Sequence, residues 1–223
     1  MSHSVERHLG VASGSYDETI RRFIPGYETL VGKAVAAVAA AAPTLVLDLG
    51  AGTGALAERL LALAPQTVVE LWDVDQAMLA VARERLARFG QRARFVPRSF
   101  REPLPSCDGI MASLALHHVP TLEEKTDLYG RAYAALRSGG VLVNADVTIP
   151  ADPTGHRATY RQWADHLVSS GIAEERAWEH FAEWAGEDRY FSLEEELTAL
   201  RSVGFRAECP WRLGPATMTV AIK

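Results

Sequence analysis

A short strand pattern that passes directly into a glycine loop constrains the fold of this chain more than any other feature. Residues 45–49 are almost entirely apolar, as in a parallel strand that helices cover on both faces. Leucines then recur at helical spacing from Leu56 to Leu63. Between the two patterns lies the run Gly50-Ala51-Gly52-Thr53-Gly54. Because glycine lets a backbone approach a ligand closely, this arrangement predicts a binding site at the carboxyl end of the strand.

Alternating strand and helix patterns continue to about residue 145. Further strand patterns occupy 68–72, 93–96, 108–112 and 141–145. Helix patterns separate them, at 76–89 and 121–136 among others. Five strands that alternate with helices predict an α/β fold with a doubly wound parallel sheet. Two last strand patterns, 205–211 and 216–222, flank Gly214-Pro215 and predict a C-terminal antiparallel hairpin.

Residues 151–190 differ from the alternating region, because their helix patterns carry many large aromatic side chains. The aromatic positions are Trp163, Trp178, Phe181 and Trp184. We expect these side chains to form the interior of a helical cap over the sheet, with a substrate cage as the alternative. We predict a single domain with four parts: N-terminal helices (1–43), the core (44–150), the cap (151–190), and a final helix with the hairpin (191–223).

Charge and cysteine content exclude several classes of protein. The formal net charge of -5 provides no basis for binding nucleic acid or an anionic membrane. Cys107 and Cys209 are too few for a disulfide framework, and neither lies in a C-x-x-C pair. No apolar run approaches the ~20 residues that cross a bilayer. We therefore expect a cytoplasmic protein with no membrane partner, and the sequence allows a homodimer without requiring one.

The glycine loop fits two kinds of ligand site. Its residues match G-x-G-x-x-A, and Asp73 lies about 20 residues further on, where a dinucleotide-binding oxidoreductase has its ribose-binding acid. The same loop matches D-x-G-x-G-x-G, with Asp48 inside the strand. Both sites bring backbone close to a ligand at the switch point of the sheet. The loop alone therefore leaves both interpretations open.

Five core segments form an ordered series of motifs. They occupy 46–54, 72–79, 108–110, 114–119 and 136–143. In this order they resemble the motifs of the class I S-adenosylmethionine (SAM)-dependent methyltransferases. The resemblance implies a Rossmann-like seven-stranded methyltransferase sheet, S-adenosyl-L-methionine as the cofactor, and methyl transfer as the activity.

Three shorter motifs resemble a subgroup that includes enzymes using carboxy-SAM to modify tRNA. They are Ser15-Tyr16-Asp17, Ile24-Pro25-Gly26-Tyr27 and Asn144-Ala145-Asp146. In that subgroup the tyrosine of the Pro-Gly-Tyr motif lies over the cofactor, and Tyr27 matches it. Tyr16 is expected to turn its ring toward the sulfonium, where a cation–π attraction is available.

Two features favour ordinary methyl transfer over carboxy-SAM chemistry on tRNA. The arginine that binds the extra carboxylate would fall near Ala199, and it is absent. Residues 151–223 hold eight basic and twelve acidic residues, a balance that disfavours a cap binding tRNA phosphates. We therefore expect a small-molecule methyl acceptor. The alternatives are a non-catalytic SAM-binding regulatory protein and carboxy-SAM-dependent tRNA modification.

Strand ends and family motifs together define the expected cofactor-binding residues. Asp73 ends a strand, where its carboxylate can accept from both ribose hydroxyls, and Asp75 is better placed to cap the next helix. Asp48 is expected to orient the loop and to meet the positive methionine end of the cofactor. Ser99 stands where the family has an acid that accepts from the adenine amino group. The full set is Tyr16, Tyr27, Asp48, Gly50, Ala51, Gly52, Gly54, Asp73, Val74, Met78, Ser99, Phe100 and Ser113.

Two adjacent histidines follow the fourth strand, at the edge where methyl donor and acceptor should meet. Because an extended strand alternates its side chains, we expect only one of His117 and His118 to face the site. We assign His117 as a general base and Asp146, at the end of the fifth strand, as the second catalytic group. Packing or helix capping by both histidines is the alternative.

No metal site is expected from the sequence. The candidate ligands have no pair with an established ligand spacing. These candidates are His117, His118, Asp146, His156 and His166.

Overall fold

A seven-stranded sheet lies at the centre of the computed structural model, which describes residues 15–223. Its strands are β1 (Leu45–Leu49), β2 (Val68–Trp72), β3 (Ala93–Val96), β4 (Cys107–Ser113), β5 (Leu136–Val147), β6 (Arg206–Leu213) and β7 (Ala216–Ile222). Their order across the sheet is β3-β2-β1-β4-β5-β7-β6. Strands β1 to β5 are parallel, and β7 is antiparallel to both of its neighbours. The predicted doubly wound sheet with a C-terminal hairpin is confirmed.

Eight α-helices connect and cover these strands within residues 15–223. They are α1 (Tyr16–Phe23), α2 (Tyr27–Ala40), α3 (Ala55–Leu63), α4 (Gln76–Leu86), α5 (Leu122–Ala135), α6 (Pro153–Ser169), α7 (Glu174–Trp184) and α8 (Leu193–Ser202). Two short 3₁₀ segments, Ala87–Arg92 and Leu116–His118, add to them.

Side-chain caps begin several of the helices where the sequence predicts them. Asp75 accepts hydrogen bonds from two backbone N–H groups in the first turn of α4. Thr121 does the same once at the start of α5. Ser192 and Glu195 form a complete, reciprocal capping box on α8.

Two elements differ most from their predicted bounds. The helix predicted at 76–89 ends as an α-helix at Leu86 and continues as a 3₁₀ segment, in which Gly90 has a non-helical backbone. The strand predicted at 141–145 begins earlier, because Leu136 already pairs with Cys107 before the two glycines at 139 and 140. Hydrogen bonding to the neighbouring strand β4 determines where β5 begins, and the local sequence pattern does not reveal this start.

Both faces of the sheet are buried, which explains why its parallel strands are apolar throughout. On β1, Val46 and Leu47 are fully buried and belong to the hydrophobic clusters on opposite faces. Helix α2 contributes Leu30 and Val31 to the Val46 side. Helix α5 contributes Leu128 to the Leu47 side.

Helices α6 and α7 lie within the predicted cap segment. Trp163 and Trp184 are buried in the cap interior, as expected, whereas Trp178 is 41% exposed. The indole N–H of Trp163 donates to the carbonyl of Phe23 at 2.7 Å, so the cap is joined to α1. The division of the chain into four parts stays a prediction.

Of the helices in the part of the chain that the structure describes, none combines the length and the apolar character that a bilayer-spanning helix has.

Candidate active site

The glycine loop turns sharply at the carboxyl end of β1. Gly50, Gly52 and Gly54 all have positive φ, a backbone conformation that is strained in residues with a side chain. A Cβ at Gly50 would also overlap the Cβ of Ala115, so no side chain fits there. The N–H groups of Gly50 and Ala51 donate to the carbonyl of Trp72 at 2.8 and 3.1 Å, which fixes the loop against the end of β2.

Asp73 lies directly beside this loop. Its Oδ2 accepts from the N–H of Gly52 at 2.7 Å, and its Oδ1 accepts from the N–H of Asp75 at 2.8 Å. Asp75 serves as the cap of α4, as the sequence predicts, so Asp73 is not needed for that role. A carboxylate has about four lone-pair sites, so these two contacts are compatible with a ligand donor at the half-buried Asp73.

Two buried polar atoms near the loop fit a bound cofactor. Among the described residues, Oδ2 of Asp48 at the end of β1 and Oγ of Ser113 at the end of β4 make no hydrogen bond. Burial, followed by the nearby carboxylate of Asp73, raises the pKa of Asp48 to about 8, although the backbone N–H of Ala57 opposes the shift. A positively charged ligand group beside Asp48 would restore its ionised form.

The other expected cofactor residues lie around the loop and the neighbouring strand ends. Met78 is buried, and its Cε lies 3.4 Å from the position of a Cβ at Gly52. Phe100 lies beside Gly50 in the same way, at 3.7 Å. Val74 is exposed at the strand edge. Ser99 follows β3, and its hydroxyl accepts from the N–H of Arg101 at 3.1 Å.

The tyrosines of α1 and α2 approach the same edge. Burial raises the pKa of Tyr27 to about 12. Burial also raises the pKa of Tyr16, and the charges of Asp73 and Asp146 raise it further, together with those of Tyr27 and Asp17. Tyr16 is therefore close enough to Asp73 and to Asp146 to feel the charge of both carboxylates.

A clamp that the sequence analysis missed holds α1 against the glycine loop. Asp17 accepts from the hydroxyl of Thr53 at 2.6 Å and pairs with the guanidinium of Arg85. Arg85 also donates to the hydroxyl of Thr53 at 2.9 Å. No local pattern marks this trio, because its members lie on three separate segments.

His117 and Asp146 form a buried pair at the ends of β4 and β5. Nδ1 of His117 lies 2.6 Å from Oδ1 of Asp146, and the backbone N–H of His117 donates to Oδ2 at 3.1 Å. Burial opposes protonation of His117, but the charges of Asp146 and Asp188 outweigh it and raise the pKa of the imidazole. Burial likewise works against ionisation of Asp146, yet the charge of His117 and the hydrogen bond to it hold the pKa of Asp146 low.

The expectation that only one of the two histidines faces the site is wrong. Residues 116–118 form a 3₁₀ turn instead of continuing the extended strand, so strand alternation does not apply. The rings of His117 and His118 lie with centroids 4.3 Å apart. Both approach Oδ1 of Asp188, from Nε2 of His117 at 3.7 Å and from Nδ1 of His118 at 3.2 Å.

Asp188 is the functional candidate that sequence reasoning missed. It follows α7 in the cap segment and is buried, with Tyr190 donating its hydroxyl to Oδ2. The backbone N–H of Arg189 donates to the carbonyl of His117 at 2.8 Å, which fixes this part of the cap to the exit of β4. Asp188 also lines a cavity of about 350 Å³ with Tyr160, Tyr190 and Pro150.

Comparisons with known proteins agree with this arrangement. A family model described as a methyltransferase domain matches residues 47–142. An uncharacterized methyltransferase of Geobacillus sp. (strain WCH70) is 30% identical over 193 residues, which cover 85% of this chain and 81% of that protein. Trans-aconitate 2-methyltransferase of Mycolicibacterium gilvum (strain PYR-GCK) is 32% identical over 165 residues, 73% of this chain and 54% of that protein.

Solved structures share the fold. Human N-acetylserotonin methyltransferase, crystallised with SAM, superposes with a TM-score of 0.62 at 20% identity, over 86% of this chain and 51% of that one. The chain thus spans about half the length of this enzyme and of the trans-aconitate enzyme. Its motif order, its strand order and its match to 81% of the Geobacillus methyltransferase show that the chain belongs to the class I SAM-dependent methyltransferase family.

Proposed function

We propose that this chain transfers a methyl group from SAM to a small-molecule acceptor at the carboxyl edge of its sheet. One observation carries the proposal: the glycine loop and Asp73 meet through the Gly52 contact at the switch point between β1 and β4. The His117–Asp146 pair ends the next two strands, β4 and β5. The proposed SAM site and the proposed acceptor site therefore lie next to each other along the carboxyl edge of the sheet.

The residues around the loop suit the parts of SAM. Asp73 is proposed to accept from the ribose hydroxyls, Ser99 from the adenine amino group, and Asp48 from the ammonium of the methionine part. Met78 and Phe100 offer apolar surface beside the loop. When bound, SAM supplies a methyl group on a positively charged sulfur. The remaining residues need to align the acceptor and exclude water, because the displacement is in line.

His117 and Asp146 are proposed as the acceptor-side pair. Asp146 accepts from Nδ1, so the ring presents Nε2 away from it. For a hydroxyl or amine acceptor, Nε2 is the atom proposed to receive the proton. Tyr16, whose pKa is raised by the charges of Asp73 and Asp146, is proposed to face the sulfonium with its ring.

A screen for transferred label tests the proposal. Purified protein is incubated with methyl-labelled SAM and pooled small molecules, and labelled products are identified by mass spectrometry. At a SAM concentration near the wild-type dissociation constant, we expect at least one labelled product with wild type and much less of it with Asp73→Ala. Tight SAM binding without label transfer to any acceptor would instead support a non-catalytic SAM-binding protein.

A further inference from the structure

Three potential metal ligands converge where the cap meets the exit of β4. They are Nε2 of His117, Nδ1 of His118 and Oδ1 of Asp188, and all three atoms lie within 4.8 Å of one another. The 3₁₀ turn places the two rings side by side, and the cap segment supplies the carboxylate. The cluster includes Asp188, and the spacing of the histidines in the sequence gives no indication that this residue lies beside them.

The distances suit ligands of one ion. Metal–ligand bonds of ~2.1 Å to nitrogen and oxygen imply neighbouring ligand atoms separated by roughly 3.0–3.5 Å. Oδ1 of Asp188 lies 3.2 Å from Nδ1 of His118 and 3.7 Å from Nε2 of His117. All three atoms lie within 4.8 Å of one another, so side-chain movements of about 1 Å would bring them around one ion. His118 is partly exposed, which leaves an entry path for the ion.

Further contacts orient two of the three ligands. Asp146 holds Nδ1 of His117, so the lone pair of that ring belongs to Nε2, the atom in the cluster. The hydroxyl of Tyr190 donates to Oδ2 of Asp188, so Oδ1 is the oxygen that faces the histidines. A ligating histidine held by a carboxylate, and a ligating carboxylate held by a hydrogen bond, are the usual outer contacts of metal sites.

The ligand types select the class of ion. Two imidazoles and one carboxylate suit divalent first-row transition ions such as Zn²⁺, Fe²⁺ or Co²⁺, whereas Mg²⁺ and Ca²⁺ prefer oxygen. Three protein ligands also leave coordination positions for a substrate or water. The geometry points to a site for a divalent transition-metal ion formed by His117, His118 and Asp188, between the sheet and the cap.

This inference deepens the proposed function only in placing the ion at the acceptor side. If His117 held the ion through Nε2, that atom would not be available as a base, and the ion would instead lower the pKa of an acceptor hydroxyl bound to it. Metal binding is measured without SAM or acceptor, so the metal site can be tested independently of methyl transfer. The inference replaces the sequence-based expectation of no metal site.

Co²⁺ titration of untagged, chelator-treated protein tests the site. We expect visible d–d absorption that saturates at one Co²⁺ per chain and disappears when Zn²⁺ is added. Asp188→Asn and His118→Ala should each abolish the absorption. Tyr190→Phe should keep it but weaken Co²⁺ binding by about 10–100-fold, because only an outer contact is lost.

Two controls separate this site from other histidines. His156→Ala removes an exposed histidine outside the cluster and should leave Co²⁺ binding unchanged. The double variant His3→Ala/His8→Ala removes the two histidines nearest the N-terminus and should also bind like wild type. Circular dichroism and binding of S-adenosylhomocysteine (SAH) show whether each variant is folded.

The result that would overturn the inference is equally direct. Co²⁺ binding of equal affinity in wild type and in folded Asp188→Asn and His118→Ala would place the ion elsewhere. Wild type without any saturable Co²⁺ absorption would remove the site altogether. If Asp188→Asn does not fold, His118→Ala and Tyr190→Phe still decide.

Discussion

Asp146 holds Nδ1 of His117 at a distance of 2.6 Å, and both side chains are buried. The contact joins the end of β5 to the turn after β4, and it determines which ring nitrogen is presented to the acceptor side. A buried pair of this kind is costly to break, because removing one partner leaves the other buried without its hydrogen-bonded, charged partner.

Asp146→Asn should therefore lower the free energy of unfolding by about 3 kcal/mol. Urea denaturation at pH 7 is the measurement. Asp165→Asn is the matched control, because Asp165 pairs with Arg161 on the exposed surface and its loss should cost no more than ~1 kcal/mol. Equal small losses in both variants would show that the Asp146 contact contributes little to stability.

Asp48 makes stability depend on pH in a predictable direction. Its folded pKa of about 8 lies above the ordinary value, so the unfolded chain releases this proton first as pH rises. The contribution of Asp48 to stability therefore falls between about pH 4 and pH 8 and is constant above that range. Asp48→Asn should be more stable than wild type at pH 8, by a margin that shrinks at pH 5.

Urea denaturation of wild type and Asp48→Asn at pH 8 and at pH 5 checks this prediction. Asp108→Asn is the control of opposite sign: burial opposes ionisation of Asp108, but hydrogen bonds from Thr44 and Leu45 hold its pKa low. Removing that carboxylate should destabilise the protein more at pH 7 than at pH 3, and urea denaturation of this variant is therefore done at those two values. A margin for Asp48→Asn that does not change with pH would contradict the buried, protonated state.

A buried ion pair behind the site gives a third prediction. Lys125 pairs with Glu196, which also accepts from the hydroxyl of Tyr129, and this links α5 to α8. Lys125→Met should cost about 3–5 kcal/mol, because it leaves the charge of Glu196 buried. The double variant Lys125→Met/Glu196→Gln keeps an acceptor for Tyr129 and should recover part of the loss. A double variant less stable than Lys125→Met would refute this explanation.

The clamp on α1 predicts a link between that helix and the cofactor site. Arg85→Ala should lower SAH affinity several-fold and increase hydrogen exchange in α1, since Asp17 and Thr53 lose their shared partner. Arg88→Ala is the control, because Arg88 is exposed and contacts the side chains of Glu58 and Phe89 among the described residues. Unchanged α1 exchange in Arg85→Ala would show that other contacts hold the helix.

Local patterns predicted the core of the sheet because each buried strand and capped helix carries its own signal. β2 and β3 have the predicted bounds, and the Ser192–Glu195 capping box forms as its spacing indicates. The contacts of Asp188 with the histidines could not be predicted from the sequence, since only tertiary packing brings the cap to the exit of β4. The predicted orientation of His118 is wrong because residues 116–118 form a 3₁₀ turn instead of an extended strand.

Calorimetric titration with SAH, comparing wild type with Asp73→Ala, tests the central claim most directly. Wild type should bind SAH and not NAD. Asp73→Ala should stay folded and bind SAH roughly 10–100-fold more weakly, which corresponds to losing a charged acceptor of about 1.5–3 kcal/mol. Tight NAD binding without any response to SAH, or full SAH affinity in folded Asp73→Ala, would contradict the proposed cofactor site.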